Sequence, residues 1–209
     1  MRKASLFLLL FLMGWYTGIS QKSKSAADSA NAAKQARKFA KFQQMATYPL
    51  IKSDPMSGVL PVPIIDEWPD TNQVYKLLFV WTYGSRDSAK LAKNNAALAD
   101  IGRVVNLHIA SHIPLRNLQL VAAVHGPSVF SLLNDAAYEQ RFHRKNPNIT
   151  LIHELQDAGM KFIACGQAMG FLDVKKADLL PGINVAMTAQ TIITSYEMKG
   201  FVVIDESSE

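Results

Sequence analysis

Residues Val74 to Thr82 read VYKLLFVWT, nine positions in which Lys76 is the one charge and strand formers dominate. A run that is apolar at consecutive rather than alternate positions suits a strand covered on both faces, as in a parallel sheet. Working outward, four more such segments follow: Leu118 to Val124 (LQLVAAV), Met160 to Ala164 (MKFIA), Ile183 to Met187 and Phe201 to Ile204. Between them lie stretches with helical signals. Ser85 to Asn106 repeats Leu91, Ala92, Leu98, Ile101 and Val105 on one face. Pro127 suits the first turn of a helix over Ser128 to Asn134, and Pro147 opens another over Asn148 to Ala158, which Gly159 ends. Asp135 to Asn146 reads as a polar, irregular excursion. A short helix over Ala168 to Leu172 and a longer one over Thr188 to Met198 complete the series. Strand and helix alternate five times with short connections. That order predicts one α/β domain over residues 74–204, a mainly parallel five-stranded sheet with helices on both faces. Residues 205–209 form a tail.

The ends of the chain explain its charge. The 209 residues are 49% apolar and 19% charged, a globular composition, with a net charge of +5 and a pI near 9.3. From Asp66 onward, however, 13 Lys or Arg stand against 15 Asp or Glu, so the domain itself is near neutral. The basic residues cluster earlier. Arg2 and Lys3 precede an apolar run, Leu6 to Met13, and Gly18 and Ser20 supply the small residues of a cleavage site. Residues 1–20 are therefore expected to be an export signal, with the mature chain beginning at Gln21 in the periplasm or outside the cell. The alternative is an uncleaved anchor, which would be the membrane contact of this chain; the apolar run falls short of the roughly 20 residues of a comfortable span.

Residues 21–73 are expected as an extension in two parts. Lys22 to Met45 carries six basic residues on a weakly amphipathic helix, with Phe39, Phe42 and Met45 at helical spacing. Such a helix can bind anionic lipid or polyanions. Its apolar stripe is short, which favours a solvated leader or a helix packed on its own domain, and no nucleic-acid partner is expected. Tyr48 to Pro69 holds five prolines and should cross the domain surface as an extended arm.

In an open parallel sheet, ligands collect at the carboxyl ends of the strands. Three ends carry chemistry here: Tyr83-Gly84-Ser85, His125-Gly126 and Cys165-Gly166-Gln167. Cys165 is the sole cysteine, which excludes an intrachain disulfide and a zinc site built on several thiolates. At a strand end before a helix its thiolate would be favoured, and alone it can carry sulfur as a persulfide, form an adduct, or bind a soft metal. A buried cysteine serving as a small hydrophobe is the alternative. His125 has two readings as well, a base for Cys165 or a structural imidazole bonded to backbone. His108, His112, His143 and His153 share no metal-ligand spacing, so no metal site is expected. The Thr82 to Ser88 loop lacks the hydroxyl run that would wrap a phosphate. No Walker or dinucleotide glycine pattern occurs, nor Gly-x-Ser-x-Gly, and no cofactor is expected.

The core resembles the DsrE/DsrF-like family of small sulfur-relay proteins. The resemblance rests on the first apolar strand, Val124-His125-Gly126-Pro127, Asn148 to Gly159 (NITLIHELQDAG), Lys161 to Gln167 (KFIACGQ), Asp178 to Gly182 (DLLPG) and the closing helix and strand. It spans about residues 74–204 and leaves the first 73 outside. It implies a flavodoxin-like fold, assembly as trimers or hexamers, and a persulfide carried on the cysteine at this strand end, which is Cys165 here. His125, Gly126 and Gln167 match related sequences. The expectation is an exported sulfur carrier or sulfurtransferase, with Cys165 and His125 doing the chemistry and Gly126, Gly166 and Gln167 lining the sulfur site. A sulfur-donor or acceptor protein would be the partner. The competing expectation is a non-catalytic oligomeric binding module in which Cys165 is structural.

Overall fold

A computed structural model of the chain describes residues 29–85 and 87–207. The chain divides into two compact units, Met1–Met45 and Ala46–Glu209. The export signal expected over residues 1–20 lies outside the described residues. In the first unit, residues 29–45 form a helix (α1) on which Phe39 and Phe42, three residues apart, stack with ring centres at 6.2 Å. No helix among the described residues is long and apolar enough to cross a membrane.

The second unit is a three-layer α/β sandwich of the flavodoxin-like type. Five strands, β1 (Tyr75–Trp81), β2 (Leu118–Val124), β3 (Lys161–Cys165), β4 (Asn184–Ala186) and β5 (Val202–Glu206), form one sheet in the order β4-β3-β2-β1-β5. Every pairing is parallel. The helices are α2 (Ala96–Ala110), α3 (Asp135–Phe142), α4 (Ile149–Asp157), α5 (Gly166–Phe171) and α6 (Ala189–Glu197). The chain steps in one direction from β1 to β4 and then crosses back to lay β5 beside β1. Because such crossovers are right-handed, the return sends its helix to the opposite face. The apolar contacts agree. Leu77, Phe79, Trp81, Leu120, Ala122, Val124, Phe162 and Ala164 face the core that α2, α4 and α5 close. Their alternate neighbours Leu78, Val121, Ala123 and Ile163 meet Ile192, Ile193 and Tyr196 of α6. Both faces are covered, which is why the strands read as unbroken apolar runs.

Three segments depart from expectation. The one expected from Ser85 begins only at Ala96. Upstream, Ser85 Oγ accepts the N–H of Asp87 at 3.0 Å and Asp87 Oδ1 that of Ala89 at 2.8 Å, so polar side chains hold local turns in place of helix. Asn95 Oδ1 then caps α2 through the N–H groups of Ala97 and Leu98. Conversely, the stretch expected to be irregular from Asp135 contains α3. Asn134 Oδ1 caps it through the Ala137 N–H at 2.9 Å, and Asp135 adds a negative charge to its first turn. The helix expected over Ser128 to Asn134 is a 3-10 stretch, Gly126–Leu132.

The proline-rich arm is fastened to the same unit by its first part. Thr47 and Val59 exchange backbone hydrogen bonds at 2.9 Å, and a 3-10 turn, Pro55–Ser57, is capped by Asp54. Inside this loop Ile51 is fully buried. Asn106 of α2 reaches in with its whole amide: Oδ1 accepts from the Leu50 and Ile51 N–H groups, and Nδ2 donates to the Ile51 and Ser57 carbonyls. Glu154 of α4 accepts from Lys52 and Ser53 N–H, both at 3.0 Å. Gly102 makes the close approach possible, since a Cβ there would stand 2.5 Å from Ser57 Oγ.

Candidate functional site at the ends of β3 and β4

β3 passes directly into α5 on one face of the sheet, and the loop after β4 enters α6 on the other. Where neighbouring connections part in this way a crevice opens outside the strand ends. Cys165 stands there. It is the last residue of β3 and the N-cap of α5, in register with Ala186 of β4, and 5% exposed. Its Sγ lies 3.9 Å from Thr188 Oγ1, and Thr188 is the N-cap of α6. The thiol thus sits where two helices begin.

That position sets its acidity. Burial by itself raises the thiol pKa. Against it act the N–H of Ala168 in α5, the N–H of Ala189 in α6, the Thr188 hydroxyl and, least, the N–H of Gln167, and together they hold the pKa below its ordinary value. The Thr188 hydroxyl accepts from the neutral thiol and donates to the thiolate, so it serves both states. Backbone donors at helix starts favour anions without any cationic side chain. Replacing Thr188 with valine removes one donor and a cap. The native alkylation rate of Cys165 at neutral pH should fall on the order of tenfold, with its pH midpoint moved upward, while Thr188→Ser keeps both near the parent values. A Thr188→Val rate equal to the parent would contradict this role.

Gly166 belongs to the same construction. A Cβ on it would stand 2.8 Å from Ala186 O and 3.3 Å from Met187 O, so only glycine lets α5 start this close to the end of β4. Gln167 is exposed; its N–H points at Met187 O at 3.2 Å and its Nε2 lies 3.4 Å from Met187 Sδ. Beside the crevice Met187 is 75% exposed.

His125 lies one step beyond the last β2–β3 pair, Val124↔Ala164, so the register sets its backbone beside that of Cys165. Its N–H donates to Trp81 O at 3.0 Å, and its carbonyl accepts the Ser128 hydroxyl at 2.7 Å. No hydrogen bond joins the ring to the thiol, and His125 is not among the groups that act on the thiol's acidity. Burial lowers the imidazole pKa, which leaves the ring neutral at pH 7 and suits it to accept a proton rather than to supply positive charge. Gly126 follows with φ of 65°, the left-handed conformation that starts the tight turn into Pro127.

Thr188 and Ala189 were missed in the sequence reading. The signal was available: Thr188 directly follows the fourth strand segment and heads a helix, close to the strand-end position that singled out Cys165. Among the described residues no three His, Cys, Asp or Glu side chains gather as a metal site.

A family model for the DsrE/DsrF-like family matches residues 76–200. No curated protein matches the chain. Among solved structures, a protein of unknown function from Methanobacterium thermoautotrophicum, MTH1491, is 20% identical, with 63% of this chain and 98% of that chain covered and a TM-score of 0.47.

Proposed function

The chain belongs to the DsrE/DsrF-like family, and from that premise we propose that it handles sulfur, with Cys165 as the atom-carrying nucleophile. The observation that carries the reading is the convergence of the α5 and α6 N–H groups and the Thr188 hydroxyl on one thiol whose pKa they depress. A thiolate is the form that attacks sulfur.

In the uptake step the Cys165 thiolate attacks the outer sulfur of a donor persulfide, R–S–SH. A new S–S bond forms on Cys165, the donor's S–S bond breaks, and R–S⁻ leaves. No net oxidation occurs. Delivery is the same exchange in reverse toward an acceptor thiolate, which regenerates the Cys165 thiolate. The donors that favour the thiolate would likewise favour the anionic outer sulfur, and the neutral His125 imidazole would take or return its proton. Gly126, Gly166 and Gln167 frame this site in the proposal.

We further propose that residues 1–20 export the chain, that it works as a homo-oligomer, and that a thiol-bearing protein supplies or receives the sulfur. The exposed Met187, one residue past the Ala186 that pairs with Cys165, offers that partner an apolar contact. The test is transfer. Protein loaded with polysulfide and freed of excess should pass sulfur to an added thiol, with the transferred amount tracking the fraction of unblocked Cys165. Transfer that survives full alkylation of Cys165 would sink the proposal.

The burial of Cys165 favours a second reading, a binding module with a structural thiol. It is supported if Cys165 reacts with a soluble thiol reagent only after unfolding.

A further inference from the structure

Glu206 ends β5, is 4% exposed, and ties three elements together. Its carbonyl accepts from both Thr82 and Tyr83 N–H, at 3.3 and 3.2 Å, and so pins the chain leaving β1. Its side chain is in register with Trp81, on the α2 side of the sheet. There Oε1 is buried with no hydrogen-bond partner among the described residues. Among the described residues, the charged groups that reach it are Asp100 and Arg103 of α2 and Asp205 of its own strand. Arg103 is already engaged by Asp100 at 2.6 Å. β1 brings Trp81 to this end and no charge, and the nearby Tyr83 hydroxyl is bonded to Lys90. A carboxylate here would be buried, short of donors and beside two other acids, whereas the protonated acid costs far less.

We propose that Glu206 is a pH-dependent latch: protonated, it holds the end of β5 against β1 and α2, and on ionising it releases that end together with the Thr82–Ser85 loop. Burial, then Asp100, push its pKa up from 4.5 to about 7, with Arg103 opposing and Asp205 adding to the rise. Because the closed form has the higher pKa, the latch is fully closed at acid pH and weakens as pH rises through about 7. The released loop borders the turn after His125, for a Cβ on Gly84 would stand 2.5 Å from the Pro127 backbone. The latch makes no use of Cys165 and stands apart from the sulfur chemistry.

Amide hydrogen exchange on the full chain tests it. Corrected for intrinsic rates, protection of Thr82 and Tyr83 should fall about tenfold between pH 6 and pH 8, the ratio given by linkage for a carboxyl with these two pKa values. Glu206→Gln should make Thr82 and Tyr83 flat with pH. Flat protection in the parent chain, or an undiminished fall in Glu206→Gln, would overturn the latch. Should that variant not fold, the carbon-13 titration of the Glu206 carboxyl in the parent decides: a midpoint near 7 upholds the latch, and one in the ordinary carboxylate range overturns it.

Discussion

Cys165→Ser should give a folded protein that takes up no sulfur at all. The loss is complete rather than partial because the chain has one cysteine. Serine is nearly isosteric and the contact it gives up, a thiol 3.9 Å from Thr188 Oγ1, is weak, so stability should change by no more than about 1 kcal/mol. What disappears is the anion. A serine hydroxyl remains protonated under the same donors, and it has no vacant chemistry for a sulfane sulfur. The check is sulfur content after polysulfide treatment and desalting, beside a denaturation curve for each protein. Uptake by the serine variant at even half the parent level would place the chemistry elsewhere.

Asn106→Ala should be the most damaging change outside the sheet core. A single amide satisfies four backbone groups of the arm, and Asn106 is fully buried, as is the Ile51 side chain it anchors. Alanine leaves those groups without partners, at about 1–3 kcal/mol for each that water cannot reach. Some will rehydrate as the arm lifts, so a net loss of about 3 kcal/mol is expected, together with proteolysis between Thr47 and Val59 in the folded protein. Asn106→Leu should be as harmful, since it restores volume and no hydrogen bond. A loss below about 1 kcal/mol in both variants would mean the arm is held by Ile51 and the Glu154 contacts instead.

β1, β2 and the end of β3 were legible because strands buried on both faces must be apolar at every position, and Leu77 to Trp81 or Ala122 to Val124 leave no other reading. The strand-end rule then singled out Cys165. Helix starts were not legible where side chains compete for the backbone. Apolar spacing at Leu91 and Ala92 argued for helix, yet Ser85 and Asp87 bond their own backbone, and only Asn95 begins α2. The arm's anchorage was out of reach for a different reason: Asn106 and Ile51 are 55 residues apart, and nothing local marks their contact. The partnership of Cys165 and Thr188 falls between the two cases. It needed the β3–β4 pairing, which local sequence does not state, although each residue alone stands where a strand segment gives way to a helix.

Whether Cys165 takes up one sulfur atom as a nucleophile is read from the protein's mass after incubation with polysulfide, before and after digestion to peptides. The expected result is a gain of one sulfur atom on the peptide containing Cys165, removed by a reducing thiol and absent when the thiol has been alkylated first. A native protein whose Cys165 reacts readily with an alkylating reagent yet never gains sulfur from polysulfide, at any pH where the thiolate is present, would contradict it.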